Sequence, residues 1–141
     1  MRTDIMAADY LKRARSRLID ARAAFERGDY PDVIRYCQES VELSLKAALR
    51  LVGVEYPKVH DVSDIFERSK ERFPEWMRRE VPKLCEASQN LALRRGPSVY
   101  GVETLGKPPS ALFGLRDARD ALEKAEHAFQ TCSRFYREYT G

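Results

Sequence analysis

The chain has 141 residues, 43% hydrophobic and 33% charged, a length suited to one domain and too much apolar side chain for a disordered polypeptide. Seven glycines and seven prolines exclude a linker-rich or collagenous chain. The net charge of +3, with 18 arginines against 7 lysines, permits an anionic partner without requiring one, and arginine forks bidentately onto phosphate and carboxylate.

The prolines, at 31, 57, 74, 82, 97, 108 and 109, divide the chain into elements. Ahead of Pro31, the residues Ala7, Leu11, Ala14, Leu18, Ala21 and Phe25 recur at four- and three-residue steps, one apolar stripe on a helix. Gly28-Asp29 ends it, and Pro31 suits the first turn of the next helix. That helix is predicted over 31–52, with Val33, Cys37, Val41, Ser44, Ala48 and Leu51 on one stripe. Ile34, Leu45, Ala47 and Val52 widen the apolar face, which marks a central helix, and Gly53 stops it. A short helix over 61–72 turns Val62, Ile65 and Phe66 inward. Pro74 begins another that runs to about residue 94, with Val81, Leu84, Ser88, Leu91 and Ala92 inward, and Pro82 should bend or interrupt it. Residues 96–109 hold Gly96, Pro97, Gly101, Gly106, Pro108 and Pro109 and read as the longest loop. Ser110 is a start signal for the last helix, where Leu115, Ala118, Leu122, Ala125, Phe129, Cys132 and Tyr136 keep the helical spacing. No stretch alternates as a strand does. The expected fold is all-α: an up-and-down four-helix bundle with an additional short helix, in a single domain over 1–141.

The longest run without Asp, Glu, Lys or Arg spans Pro108 to Leu115, whereas a membrane-crossing helix needs about 20 apolar residues. The N-terminus lacks the apolar core of a secretory signal. Cys37, Cys85 and Cys132 are odd in number and form no C-x-x-C pair, which argues for a reducing cytoplasm over a disulfide framework. Three residues before His60 and His127 stand Pro57 and Lys124, so the Glu-x-x-His of di-iron bundles is missing. No H-E-x-x-H, phosphate-binding G-x-x-x-x-G-K-[ST], G-x-G-x-x-G or nucleophile elbow is present. No metal and no cofactor are expected. The turn at 24–30 looks like that of a tetratricopeptide repeat, but no second copy follows at a period of roughly 34 residues.

Gln38, Glu42 and Lys46 stand at i, i+4 and i+8 on one face of the second helix, beside its apolar stripe. An exposed Glu-to-Lys pair contributes roughly a few tenths of a kcal/mol. The surroundings of Glu42 and Lys46 are nearly all apolar, so both are expected to be partly buried and bonded to other elements. The segment Cys37-Gln38-Glu39-Ser40-Val41-Glu42-Leu43-Ser44-Leu45-Lys46-Ala47-Ala48, followed by His60-Asp61-Val62, resembles the HEPN family, the nucleotide-binding domain of higher eukaryotes and prokaryotes. Arg94-Arg95, Tyr100-Gly101, Pro109, Asp117-Ala118, Ala121-Leu122 and Ala125-Glu126 look like that family's arginine segment and last helix, and the resemblance runs from about residue 8 to residue 129.

The resemblance implies a helical bundle that forms homodimers, of a small prokaryotic type often paired with a minimal nucleotidyltransferase. Many family members are metal-independent ribonucleases whose signature is an Arg, four to six residues, then a His near the start of the last helix. Imidazole can move a proton near neutral pH, and a guanidinium can stabilise charge on phosphorus oxygens. Here four residues separate Arg95 from Tyr100, so a phenol stands where the signature has an imidazole. His127 follows Arg119 by seven intervening residues, which does not match. The expectation is a nucleotide- or RNA-binding module acting with a nucleotidyltransferase partner through Arg94, Arg95, Tyr100 and His60, with no catalytic residue assigned. The alternatives are a toxin-type ribonuclease with an atypical site, in which Arg95 is assisted by Tyr100 or His60, and a structural helical adaptor. His60 also reads as a cap or orienting group for the short helix, and the two arginines as cations at a helix C-terminus, pointing in different directions.

Overall fold

The computed structural model describes residues 3–141, which fold into helices with no strand. Four helices are long: α1 (Thr3–Arg27), α2 (Tyr30–Leu51), α5 (Val81–Tyr100) and α6 (Leu115–Thr140). Two are short: α3 (Ser63–Arg68) and α4 (Glu75–Arg78). Among the described residues no helix is long and apolar enough to cross a membrane.

Helix α2 lies at the centre and packs against α1, α5 and α6. Its stripe is fully inward: Val33, Cys37, Val41, Ser44, Ala48 and Leu51 are all buried, with Ile34, Leu45 and Leu49 beside them. Burying such Leu and Ile side chains contributes about 1.5–3 kcal/mol each. Alanines let the neighbours approach closely: Ala7, Ala14, Ala21 and Ala24 on α1, and Ala118, Ala121, Ala125 and Ala128 on α6. The buried Ser40 Oγ donates to the Ala14 carbonyl at 2.8 Å, which fastens α2 to α1. On α6 the buried line runs through Ala121, Ala128 and Phe135, one position before the expected Leu122, Phe129 and Tyr136, which are only half-buried.

The middle of the chain differs from the sequence expectation in its boundaries. The short helix stops at Arg68, and a 3-10 turn at Lys70–Arg72 follows. The segment after Pro74 is two helices, because Pro82 falls in the first turn of α5, where its missing N–H is tolerated, and the chain breaks at Arg79 and Glu80. Phe73 joins these pieces to the core, stacked on Phe66 at 4.9 Å and edge-on to Phe135 at 5.4 Å. Trp76 is half-buried and Met77 buried, while Arg79 stays exposed. The Arg134 guanidinium lies 3.7 Å over the Trp76 ring.

Gly96-Pro97 does not begin a loop. Helix α5 continues through both residues to Tyr100. Proline removes the bond to the carbonyl of Leu93, but Leu93 is 80% exposed, so that stretch of helix faces water, which can hydrate the freed carbonyl. Gly96 carries no Cβ for the proline ring to strike, which relieves the usual restriction on the preceding residue. The helix ends instead at Gly101, whose backbone turns to φ +70° and ψ −151°. The last helix starts at Leu115, not near Ser110, which sits in a separate 3-10 turn. Asp117 Oδ2 accepts the Gly114 N–H at 2.9 Å and so caps α6.

Candidate functional site

Arg95 occupies the inner side of the last turns of α5, opposite the middle of α2. Its Nη1 donates to Gln38 Oε1 and to Glu39 Oε2, both at 2.8 Å. Arg35, one turn earlier on α2, reaches the same Glu39 carboxylate oxygen at 3.4 Å. Glu39 thus holds two guanidinium groups from two helices. The Nε and Nη2 groups of Arg95 make no hydrogen bond among the described residues.

Next to this pair lies the second carboxylate. Glu42 and Lys46 are 17% and 11% exposed, and Lys46 Nζ donates to Glu42 Oε2 at 2.7 Å. Gln38 Nε2 donates to Glu42 Oε1 at 2.9 Å, and His60 Nδ1 lies 2.7 Å from that same oxygen. Burial alone pushes the Glu42 carboxyl up, but the hydrogen bonds from Lys46, Gln38 and His60 together outweigh it, and the group is held below the usual carboxylate range. Lys46 also sits 5.2 Å over the ring of Tyr56, whose hydroxyl accepts from Arg50 Nε at 3.1 Å. Burial raises the Tyr56 phenol to about 12.

His60 does not cap α3. Asp61 does that work, with its Oδ1 accepting from Ser63 N at 2.9 Å and from Ser88 Oγ at 2.8 Å. His60 is thereby left 56% exposed, fixed at one ring nitrogen.

Arg35, His60, Ala92, Arg95, Gly96, Val99 and Tyr100 line one cleft of about 350 Å³. Three of the residues marked in the sequence, His60, Arg95 and Tyr100, are therefore brought together from two elements, and Tyr100 is 67% exposed there. Arg94 is not. It points toward α6, with Nη1 buried 3.6 Å from Asp117 Oδ1 and without a hydrogen-bond partner. Tyr100, expected in the loop over 96–109, belongs to α5, as Arg95 does. Arg35 and Glu39 also belong to this site, and their i, i+4 spacing is the trace they leave in the sequence. His127 belongs to a different groove of about 380 Å³ with Trp76, Arg79, Glu80 and Arg134, and bonds Glu80 at 2.6 Å. Among the described residues no three His, Cys, Asp or Glu side chains gather as a metal would require.

The cleft can hold an anion against arginine N–H donors, present an aromatic face, and offer one imidazole nitrogen. Residues 7–136 match the family model described as the HEPN domain. The chain is 26% identical over 138 residues to the protein named "Putative toxin MJ1304" of Methanocaldococcus jannaschii, covering 94% of this chain and 89% of that one. Its fold is similar to the crystal structure of TT1696 from Thermus thermophilus, with a TM-score of 0.73, 24% identity, and 91% and 96% of the two chains covered. It is similar also to ST0689, described as an archaeal HEPN homologue, with a TM-score of 0.69, 20% identity, and 92% and 97% coverage.

Proposed function

The chain belongs to the HEPN domain family, and from that premise we propose that it binds a phosphate-bearing ligand, a nucleotide or RNA, in the cleft between α2 and α5. The observation that carries this reading is the state of Arg95. Two protein acceptors hold its Nη1, which orients the guanidinium, while its remaining N–H donors have no partner among the described residues. A fork oriented in this way suits phosphate oxygens. Tyr100 supplies a face on which a base can stack, a contact worth about 1–3 kcal/mol where it forms. The test uses a fluorescent single-stranded RNA oligonucleotide titrated at several salt concentrations. Arg95→Ala is expected to weaken binding at least about tenfold and to lower the salt slope by about one unit, whereas Arg94→Ala, outside the cleft, changes it less. Salt-independent binding, or equal loss from both substitutions, is the contrary result. Absence of both nucleotide and RNA binding would favour a structural adaptor.

The same reading takes residues 1–141 as one domain acting in the cytoplasm as a homodimer. Leu93 on α5 and Leu105 beyond the helix are exposed, and apolar surface of this kind favours self-association. Light scattering at micromolar concentration is expected to give twice the 16.3 kDa chain mass. A single-chain mass would end the dimer proposal. A minimal nucleotidyltransferase is the partner protein that the family likeness suggests, and the toxin name of the Methanocaldococcus relative supports a partnered setting.

A second reading is a metal-independent, toxin-type ribonuclease. It is favoured by one observation, that an exposed imidazole and an oriented guanidinium line the same cleft.

A further inference from the structure

We propose that the groove between α4 and α6 is a second ligand site, and that it takes a free α-amino acid with an apolar or aromatic side chain. It shares no residue with the cleft between α2 and α5, so the proposal stands apart from the reading of that cleft.

Arg79 and Glu80 form the break between α4 and α5, so a cation and an anion leave the backbone side by side at the edge of the groove. The Arg79 guanidinium makes no hydrogen bond or ion pair among the described residues. Glu80 is only half engaged: Oε1 lies 2.6 Å from His127 Nε2, and Oε2 has no partner among the described residues. His127 Nδ1 is buried and also without a partner. A carboxylate only accepts, so the imidazole turns its N–H at Nε2 toward Glu80. That bond holds the carboxylate in place and leaves its second oxygen to accept from a ligand.

Thr131 supplies an independent observation. The residue is 8% exposed and lines the groove, yet its hydroxyl makes no hydrogen bond among the described residues. A hydroxyl so far withdrawn from water is costly to leave unpaired, and a polar ligand in the groove supplies the missing bond. Trp76 forms the wall. Its Nε1 donates to Glu138 Oε1 at 2.9 Å, Arg134 Nε donates to Glu138 Oε2 at 2.9 Å, and the Arg134 guanidinium covers the ring at 3.7 Å. The indole is fixed before a ligand arrives, so binding does not have to order it.

Charge decides the class of ligand. The two groups with bonding capacity to spare, Arg79 and Glu80, are opposite in sign. A guanidinium fork matches a carboxylate, but a ligand that is only an anion meets repulsion from Glu80, and one that is only a cation meets repulsion from Arg79. A zwitterion suits both. In an α-amino acid the ammonium and carboxylate stand on one carbon, as Arg79 and Glu80 stand on successive residues. The groove volume of about 380 Å³ leaves space for a side chain against Trp76, and small-molecule sites span about 300–1,000 Å³.

Trp76 is the sole tryptophan of the chain, so its fluorescence follows the groove directly. The experiment titrates the full chain at neutral pH with L-phenylalanine, L-leucine and glycine, exciting only the indole. Saturable changes are expected with L-phenylalanine and L-leucine, with Kd on the order of 1 mM or tighter, and weaker binding with glycine. On the wild-type chain, L-phenylalaninamide and N-acetyl-L-phenylalanine should each bind at least about tenfold more weakly, a comparison that no variant's folding can disturb. Arg79→Gln, at an exposed position, should weaken L-phenylalanine at least about tenfold, and the near-isosteric Thr131→Val at least about threefold. No saturable response to any of the three amino acids overturns the proposal, as does L-phenylalanine binding that survives Arg79→Gln. Undiminished binding of either analogue overturns the zwitterion assignment, the amide by showing that no carboxylate is read and the acetyl compound by showing that no ammonium is.

Discussion

Replacing Gly101 with alanine is expected to cost about 3 kcal/mol or more of folding stability, an unusually large effect for adding one methyl group. The backbone at Gly101 has φ +70° and ψ −151°, a region that residues with a Cβ essentially do not enter. A Cβ there would also fall on the Lys107 carbonyl oxygen, with the Pro108 Cα only 3.0 Å away. That carbonyl is in use: Val102 N donates to it at 2.8 Å, and Lys107 N donates back to Val102 at 3.1 Å. The substitution must therefore open the small bridge that turns the chain from α5 toward α6. The neighbouring turn at Pro109–Ala111 packs on α5 and α2, so the disturbance reaches the bundle. Urea denaturation would measure the loss, and hydrogen exchange should place it first in residues 101–111. A midpoint within about 0.5 kcal/mol of wild type would show that the turn can be rebuilt at little cost.

Glu42→Gln is the second large case, with an expected loss of about 2–4 kcal/mol near neutral pH. The substitution leaves Lys46, which is almost wholly withdrawn from water, without a counter-charge, and weakens the bonds from Gln38 and His60. An exposed helical pair would lose only about 0.3–0.5 kcal/mol. The pH dependence adds a second check. The folded carboxyl titrates lower than its ordinary value of 4.5, so its stabilisation is complete above that value and is lost as pH falls through the depressed folded one. Wild-type stability should therefore decline more steeply than that of Glu42→Gln as pH falls below 4.5. Parallel pH profiles, or an unchanged melting temperature, would reduce Glu42–Lys46 to a surface pair.

The long helices were legible because burial leaves a periodic trace. Val33, Cys37, Val41, Ser44, Ala48 and Leu51 on α2 could hardly be arranged otherwise, and all are buried. Helix termini were less legible, since they depend on partners far away in the chain. Gly96 and Pro97 carry the composition of a loop, yet α5 runs through them, with Ser98 Oγ donating back to the Arg95 carbonyl at 2.6 Å. Ser110 looks like a cap, but Gly114 and Asp117 supply the real one. The meeting of His60, Arg95 and Tyr100 in one cleft could not be read from spacing, because it is set by how α2 and α5 dock. Only the order of residues shared with a known family suggested that they belong together. The part played by Glu39 was hidden for the same reason: in the sequence it is one more charge on a helix, and only the fold gives it two arginines.

The parts of the cleft lie far apart in the chain, so it can be assembled only late in synthesis. Arg95 follows Gln38 and Glu39 by 57 and 56 positions. The N-terminal helices leave the ribosome first, so α1 and α2 can pair while α5 is still unmade. In that interval Gln38 has no guanidinium to accept from, and the face of α2 that will receive α5 stands open. The cleft is completed in one event, when α5 docks, so a chain stalled or clipped before residue 95 lacks it and leaves the apolar face of α2 uncovered.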